Sequence, residues 1–206
     1  MPVLYNSMIS GNCYKVRLLA AHLGIELELR EVSVTDRSDR PELLGSLNPA
    51  LRVPTLVLDN GRPLGESGAI LWYFGDDTRF VPADRYERAQ VLQWMFFEQY
   101  EHEPAIAVAR FLIGYSGLPR EQYEKRLPRL QADGARALAA MERHLDGREW
   151  LVGGSMTLAD VALYAYTHCA DEGELDLGSY PAVRAWLARV AAEPGHIPMG
   201  APPPGG

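Results

Sequence analysis

The sequence predicts an α/β domain over residues 1–76 followed by an all-α domain over residues 85–193. Three observations carry this. The strand Val3-Leu4-Tyr5 hands over at Ser10-Gly11-Asn12-Cys13 to an amphipathic helix, and a second alternating stretch follows. The character changes after Gly75-Asp76-Asp77. Beyond that point nothing over residues 85–193 alternates as a strand does, whereas apolar residues recur at helical spacing.

Each element has a local reason. Val16, Leu19, Ala20 and Leu23 form the buried stripe of the first helix, which Gly24 ends. Leu27 and Leu29 alternate with Glu26, Glu28 and Arg30, predicting a second strand running on toward Val34. A polar loop precedes a short helical piece over 41–47, which stops at Asn48-Pro49. Val53-Pro54-Thr55-Leu56-Val57-Leu58 and a short Arg62-Pro63-Leu64 arm flank Asn60-Gly61, which favours a two-residue hairpin. Glu66-Ser67-Gly68 opens a helix with Ile70, Leu71 and Phe74 as its apolar positions.

In the second half one long helix is expected over 85–114, kinked at Pro104, and another carries Leu130, Leu138, Met141 and Leu145, with Pro128 bending it or marking a late start. Thr157-Leu158-Ala159-Asp160 reads as a capping box with aspartate in the glutamate place. Tyr180-Pro181 introduces the last helix, and residues 194–206 read as a flexible tail.

At 206 residues, 47% hydrophobic and 23% charged, the composition is that of a globular protein with a sizeable core. No stretch reaches the roughly 18 apolar residues of a membrane span, and the N-terminus lacks a signal-like apolar run, so a cytoplasmic protein without a membrane partner is expected. A net charge of −7 argues against nucleic acid. Two cysteines and five scattered histidines offer no disulfide framework and no metal-ligand spacing, so no metal is expected. His22 and His168 read as helix-packing residues and His102 as a surface or interface residue.

Three points could carry chemistry. The turn at Ser10 lies at a helix N-terminus, where unpaired N–H groups and the helix dipole favour a thiolate or carboxylate. Ser10 there is either a helix cap or a hydroxyl donor, and Asn12 has the same two readings. The spacing is Cys-x-x-Cys with serine in the first place, and Cys13 reads as a small residue near the core. At Val53-Pro54, a proline opening a strand marks an edge, a bulge or a cis bond, leaving backbone groups for an extended peptide-like ligand. Glu66-Ser67 sets a carboxylate beside a hydroxyl at a helix start, a receptor for an amino-acid zwitterion or simply a cap.

Taken in order, Ser10-Gly-Asn-Cys-Tyr-Lys-Val-Arg17, Asn48-Pro-Ala-Leu-Arg-Val-Pro54, Glu66-Ser-Gly-Ala-Ile70 and Thr157-Leu-Ala-Asp160 resemble the glutathione S-transferase superfamily over residues 3–192. The resemblance implies a thioredoxin-like N-terminal domain, an all-helical C-terminal domain and glutathione as co-substrate. Pro54 would be the family's cis-proline, Val53 would pair with the cysteinyl backbone, Glu66 and Ser67 would hold the γ-glutamyl end, and Arg52 would attract the glycyl carboxylate. Thr157 and Asp160 match the family's folding motif. Serine at position 10 with asparagine at 12 is similar to the bacterial Nu class and to Theta-like members, and departs from the cysteine-type classes. Ser10 and Asn12 are therefore the catalytic candidates.

The resemblance also implies a homodimer and a pocket between the domains for a small hydrophobic electrophile or a disulfide. Met8, Tyr14, Arg110, Phe111 and Tyr115 are its candidate lining, with Arg110 stabilising charge on the acceptor. Phe96, Phe97 and Tyr100 would serve either the core or a dimer interface. Three activities remain open: conjugation of glutathione to electrophiles with detoxification as its outcome, glutathione-dependent disulfide reduction, and a non-catalytic glutathione-binding or protein-interaction module.

Overall fold

The computed structural model describes residues 1–204, which fall into two compact units. The first is Met1–Thr78 joined by the chain from Glu193 on, and the second is Arg79–Ala192.

In the first unit β1 (Val3–Asn6), α1 (Gly11–Leu23), β2 (Glu28–Glu31), α2 (Arg40–Leu44), β3 (Thr55–Val57), β4 (Pro63–Gly65) and α3 (Ser67–Gly75) follow one another. The strands form one sheet in the order β2-β1-β3-β4, with β1 parallel to β2 and antiparallel to β3, and β3 antiparallel to β4. The helical crossover α1 is what permits the parallel pair. Leu4, Val16, Ala20, Leu27, Leu56 and Ile70 make the core, drawn from the sheet and from the facing stripes of α1 and α3. Burying each such leucine or isoleucine stabilises by about 1.5–3 kcal/mol, which holds the two helix starts where the site is built.

The hairpin differs from the expected two-residue turn. Gly61 N–H donates to Leu58 O at 2.8 Å and Leu58 N–H to Arg62 O at 2.9 Å, enclosing Asp59, Asn60 and Gly61. A two-residue type I′ turn needs positive φ at both central residues. Here only Gly61 has it, at +80°, so the turn widens to three residues.

The last described residues are not a free tail. His22 Nδ1 lies 2.9 Å from Pro194 O, Tyr14 OH donates to Ile197 O at 2.6 Å, and Arg17 Nη2 donates to Met199 O at 2.6 Å. These polar anchors on α1 are what residue-by-residue reading of a Pro- and Gly-rich end lacks. Positions 205–206 of the expected tail lie outside the described residues.

The second unit contains α4 (Arg85–Phe97), a π-helical turn (Glu98–His102), α5 (Glu103–Gly114), α6 (Leu127–Leu145), α7 (Leu158–Thr167) and α8 (Pro181–Ala192), with short 3-10 turns at Arg120–Gln122 and Ala170–Gly173. The expected interruption of the long helix takes the form of the π turn just before Pro104. Its extra residue gives room where the proline ring would meet the preceding turn's carbonyl, and Glu103 N–H bonds Glu98 O five residues back. Pro128 stands in the first turn of α6, a start and not a bend. Ile106, Leu138, Tyr166, Ala170 and Leu175 centre the core. His102 belongs inside it, in contrast to the surface position expected, because Nε2 reaches Thr167 Oγ1 at 2.8 Å from a fully buried ring. Among the described residues no helix is long and apolar enough to cross a membrane, and no cluster of three or more His, Cys, Asp or Glu is placed to hold a metal.

Candidate active site

Ser10 is the N-cap of α1, extended at φ −83°, ψ 121°, with its Oγ accepting from Cys13 N–H at 3.3 Å. A hydroxyl accepts twice and donates once, so capping leaves the O–H donor uncommitted by that bond. The two readings of Ser10 are thus compatible. Asn12, half-buried, turns its Oδ1 inward to accept from Lys15 Nζ at 2.7 Å and from Ser67 Oγ at 3.2 Å. Residues 55 positions apart in sequence are joined by that second bond, which brings the first turns of α1 and α3 together.

Glu66 precedes α3 in a left-handed conformation, φ +66° and ψ 120°, rare for a residue with a Cβ. It is exposed, while Ser67 beside it is buried. Such a conformation persists where surroundings over-determine it, and at this helix start it leaves Glu66 exposed next to a buried Ser67. Among the described residues the N–H groups of Ser67 and Gly68 make no hydrogen bond, as expected for the first turn of a helix whose cap contributes no side chain.

The loop before β3 is held from beneath. The Val53-Pro54 bond is cis. Asn48 Nδ2 donates to Arg52 O at 3.2 Å and to Thr55 Oγ1 at 2.9 Å, and Thr55 Oγ1 donates to Arg52 O at 2.7 Å. Arg40, itself buried, ties Leu51 O to Ser33 O through its two terminal nitrogens. Arg52 points its charge from an exposed position, and Val53 is half-buried. Gly65 of β4 passes so close that a Cβ there would lie 2.9 Å from Asn48 Nδ2. Asn48, Arg40 and Gly65 are therefore supports that sequence reading missed. Asn48 stands in one of the motifs that carry the resemblance, but a polar side chain before a proline reads locally as a turn residue.

Neither thiol is built to react. Cys13 is fully buried with Ser7 N–H at 3.3 Å from its sulfur, and burial pushes it up to about 11 against the smaller opposing pull of its hydrogen bonds and Arg17. Cys169 is pushed up to about 12, again chiefly by burial. At neutral pH both are protonated, so Cys13 is not the anion that a helix N-terminus would stabilise here.

The residues expected to line a second-substrate pocket divide. Met8 and Phe111 are half-buried. Tyr14 is fully buried and committed to Ile197 O, so it is not open to a substrate. Arg110 is not a cation awaiting an acceptor either. It is buried, with Nε donating to Glu172 Oε2 at 2.8 Å and Nη2 to Tyr115 OH at 2.8 Å, while Tyr115 OH donates to the same carboxylate at 3.1 Å. Desolvation raises the Tyr115 pKa, keeping the phenol a donor. Arg17, buried on α1 and unforeseen as a core residue, donates to the carbonyls of Ser7 and Met8 and so shapes the turn that carries Met8. Phe96 and Tyr100 stand exposed on the second unit, whereas Phe97 packs edge-on against Trp94 at 5.1 Å.

Two family models match, the glutathione S-transferase N-terminal domain over residues 9–77 and the C-terminal domain over residues 94–194. The chain belongs to the glutathione S-transferase family. A glutathione S-transferase of Pseudomonas fluorescens superposes with a TM-score of 0.92 at 44% identity, over 96% of this chain and 98% of that one. A glutathione transferase from Burkholderia graminis, solved with two glutathione molecules bound per protein subunit, matches at 30% identity and TM-score 0.81 over 94% of this chain and 85% of its own. The disulfide-bond oxidoreductase YfcG of Escherichia coli is 27% identical over 191 residues, covering 89% of this chain and 87% of the relative. The N-terminal family model spans the turn at Ser10, the loop at Val53-Pro54 and the start of α3.

Proposed function

We propose that this glutathione transferase binds the tripeptide along its first unit and activates the glutathione sulfur with the Ser10 hydroxyl and the Asn12 amide. The observation that carries the proposal is the Ser67–Asn12 hydrogen bond, which links a receptor for an amino-acid zwitterion to a turn that favours a thiolate. In this reading the Glu66 carboxylate takes the γ-glutamyl ammonium. Ser67 and the first N–H groups of α3 take its carboxylate, Val53 pairs its backbone with the cysteinyl residue, Pro54 shapes that edge, and Arg52 takes the glycyl carboxylate. Met8, half-buried beside the Ser10 turn, is the apolar side chain that the first unit offers to a small electrophile. A homodimer displaying Phe96 and Tyr100 at its interface belongs to the same proposal.

A free thiol with pKa near 8.5 is a few per cent ionised at neutral pH, and lowering it by about two units raises the thiolate fraction roughly thirtyfold. Nucleophilicity falls with basicity along a Brønsted slope of about 0.4–0.5, so only a several-fold gain survives. Holding the electrophile beside the sulfur must supply the greater part of the acceleration.

Disulfide reduction is the second reading, favoured by the inert state of Cys13 and Cys169. With no usable thiol of its own, the chain would let glutathione attack the disulfide, releasing one thiol and forming a mixed disulfide. A second glutathione then resolves this to oxidised glutathione and the second thiol. The relatives named as a disulfide-bond oxidoreductase and as a transferase holding two glutathione molecules agree with that stoichiometry.

Parallel assays with chlorodinitrobenzene and 2-hydroxyethyl disulfide decide between the reactions. Ser10→Ala is expected to lose turnover on the preferred acceptor while keeping glutathione affinity. Unchanged turnover removes Ser10 from the mechanism, and glutathione binding without turnover on either acceptor would leave a binding module.

A further inference from the structure

Lys15 is 1% exposed, an unusual place for an ammonium, which is costly to bury unless it is partnered. It lies one helical turn after Asn12 and donates to Asn12 Oδ1 at 2.7 Å, the same oxygen that receives the Ser67 hydroxyl at 3.2 Å. An ammonium has three donors and no acceptor, so the atom it meets can only be the amide oxygen. The usual ambiguity of an asparagine side chain is thereby removed by chemistry. The two N–H donors of Nδ2 must then sit on the other arm of the amide.

We propose that Lys15 is a positioning residue for the thiol chemistry. By locking the Asn12 oxygen inward it presents Nδ2 as a donor to the glutathione sulfur, and its buried charge polarises that amide in favour of the thiolate. The inference rests on the proposed reading that glutathione places its sulfur at the Ser10–Asn12 turn. The same partners explain why a lysine is placed in a helix start that already favours anions: an electrostatic field is strongest where water is excluded.

Lys15→Met keeps the length and apolar stem but removes donors and charge, Lys15→Gln keeps a donor without the charge, and Lys15→Arg keeps both. In the full-length protein the thiol pKa of bound glutathione is read from the pH dependence of thiolate ultraviolet absorbance and from the kcat/KM profile, with glutathione affinity and unfolding measured alongside. Lys15→Met is expected to raise the bound-thiol pKa by about one unit, equivalent to a roughly tenfold loss of thiolate below it, with activity recovering as pH rises and glutathione affinity within about threefold. Lys15→Arg is expected to restore the parent profile, and Lys15→Gln to fall between. Combined with Asn12→Ala, Lys15→Met should add nothing further to the thiol pKa.

An unmoved pH profile in Lys15→Met, or in Lys15→Gln should the methionine variant not fold, overturns the role of Lys15 and leaves the sulfur site intact. A parent enzyme whose bound thiol is not acidified overturns the Ser10–Asn12 assignment and this inference with it.

Discussion

The N-terminus of α7 and that of α1 are built from the same kinds of residue, a hydroxyl at the cap (Thr157, Ser10) and a short carboxyl or amide side chain in the first turn (Asp160, Asn12). At α7 every capacity is consumed. Asp160, fully buried, accepts from Thr157 N–H at 2.8 Å, Thr157 Oγ1 at 2.9 Å, Leu151 N–H at 3.1 Å and Trp186 Nε1 at 2.9 Å. Burial pushes its carboxyl pKa up, and those four donors oppose the rise. At α1 Ser10 Oγ accepts from Cys13 N–H and Asn12 Oδ1 from Lys15 Nζ and Ser67 Oγ, and both side chains stay half-buried. One helix start is saturated and sealed in the core, and the other stays partly open to solvent at the place where we propose the glutathione sulfur binds. The difference lies in which neighbours the tertiary structure supplies, since the local residue chemistry is nearly the same.

The most damaging way to break the comparison is Asp160→Asn. It exchanges two accepting lone pairs for donors facing donors in a buried site, and about 2–4 kcal/mol of unfolding free energy should be lost, measured by denaturant titration of the second unit's tryptophans. Asn12→Ala tests the other helix start. It should lower kcat/KM by about 10–100-fold, the worth of one hydrogen bond to a charged atom, while shifting stability by less than about 1 kcal/mol. A variant at α1 that unfolds the protein as Asp160→Asn does would erase the distinction.

Gly65→Ala presses a methyl group onto Asn48 Nδ2. It should cost about 1–2 kcal/mol in thermal unfolding and weaken glutathione binding in calorimetry, because Asn48 holds the Arg52 carbonyl. Cys13 sharpens the picture most finely. Its thiol is raised from 9.0 to about 11 in the folded state, so the unfolded chain loses its proton first as pH climbs. Between these values stability should fall by about 1.4 kcal/mol per pH unit from this group, and Cys13→Ala should flatten that part of the stability–pH curve relative to the parent.

Much of the fold was legible in the chain. The strand-helix-strand opening follows from periodicity, the helix starts at Ser10 and Thr157 from their capping chemistry, and the start of α6 from Pro128, because each is decided within a few residues. The length of the hairpin loop is not legible locally, because Asn60 and Gly61 suit more than one turn. The strand twist and the pairing of β3 with β4 select among them. The candidate site was half legible. Ser10, Asn12, Val53, Pro54, Glu66 and Ser67 stand out by type and position, whereas Lys15, Arg40 and Asn48 look like solvated or turn residues until burial gives them partners.

By itself, then, the sequence determined the class of fold, the helix starts and the list of groups able to meet a thiol and an amino-acid zwitterion, since propensity, capping and hydrogen-bonding capacity are properties of residues and their near neighbours. Only the tertiary structure decided that Asn12 meets Ser67, that Lys15 is buried beneath them, that Tyr14 and Arg110 are spent on internal bonds, and that the chain end returns to α1. Those outcomes depend on contacts between segments far apart in sequence and on the exclusion of water, and neither quantity is encoded at any single position.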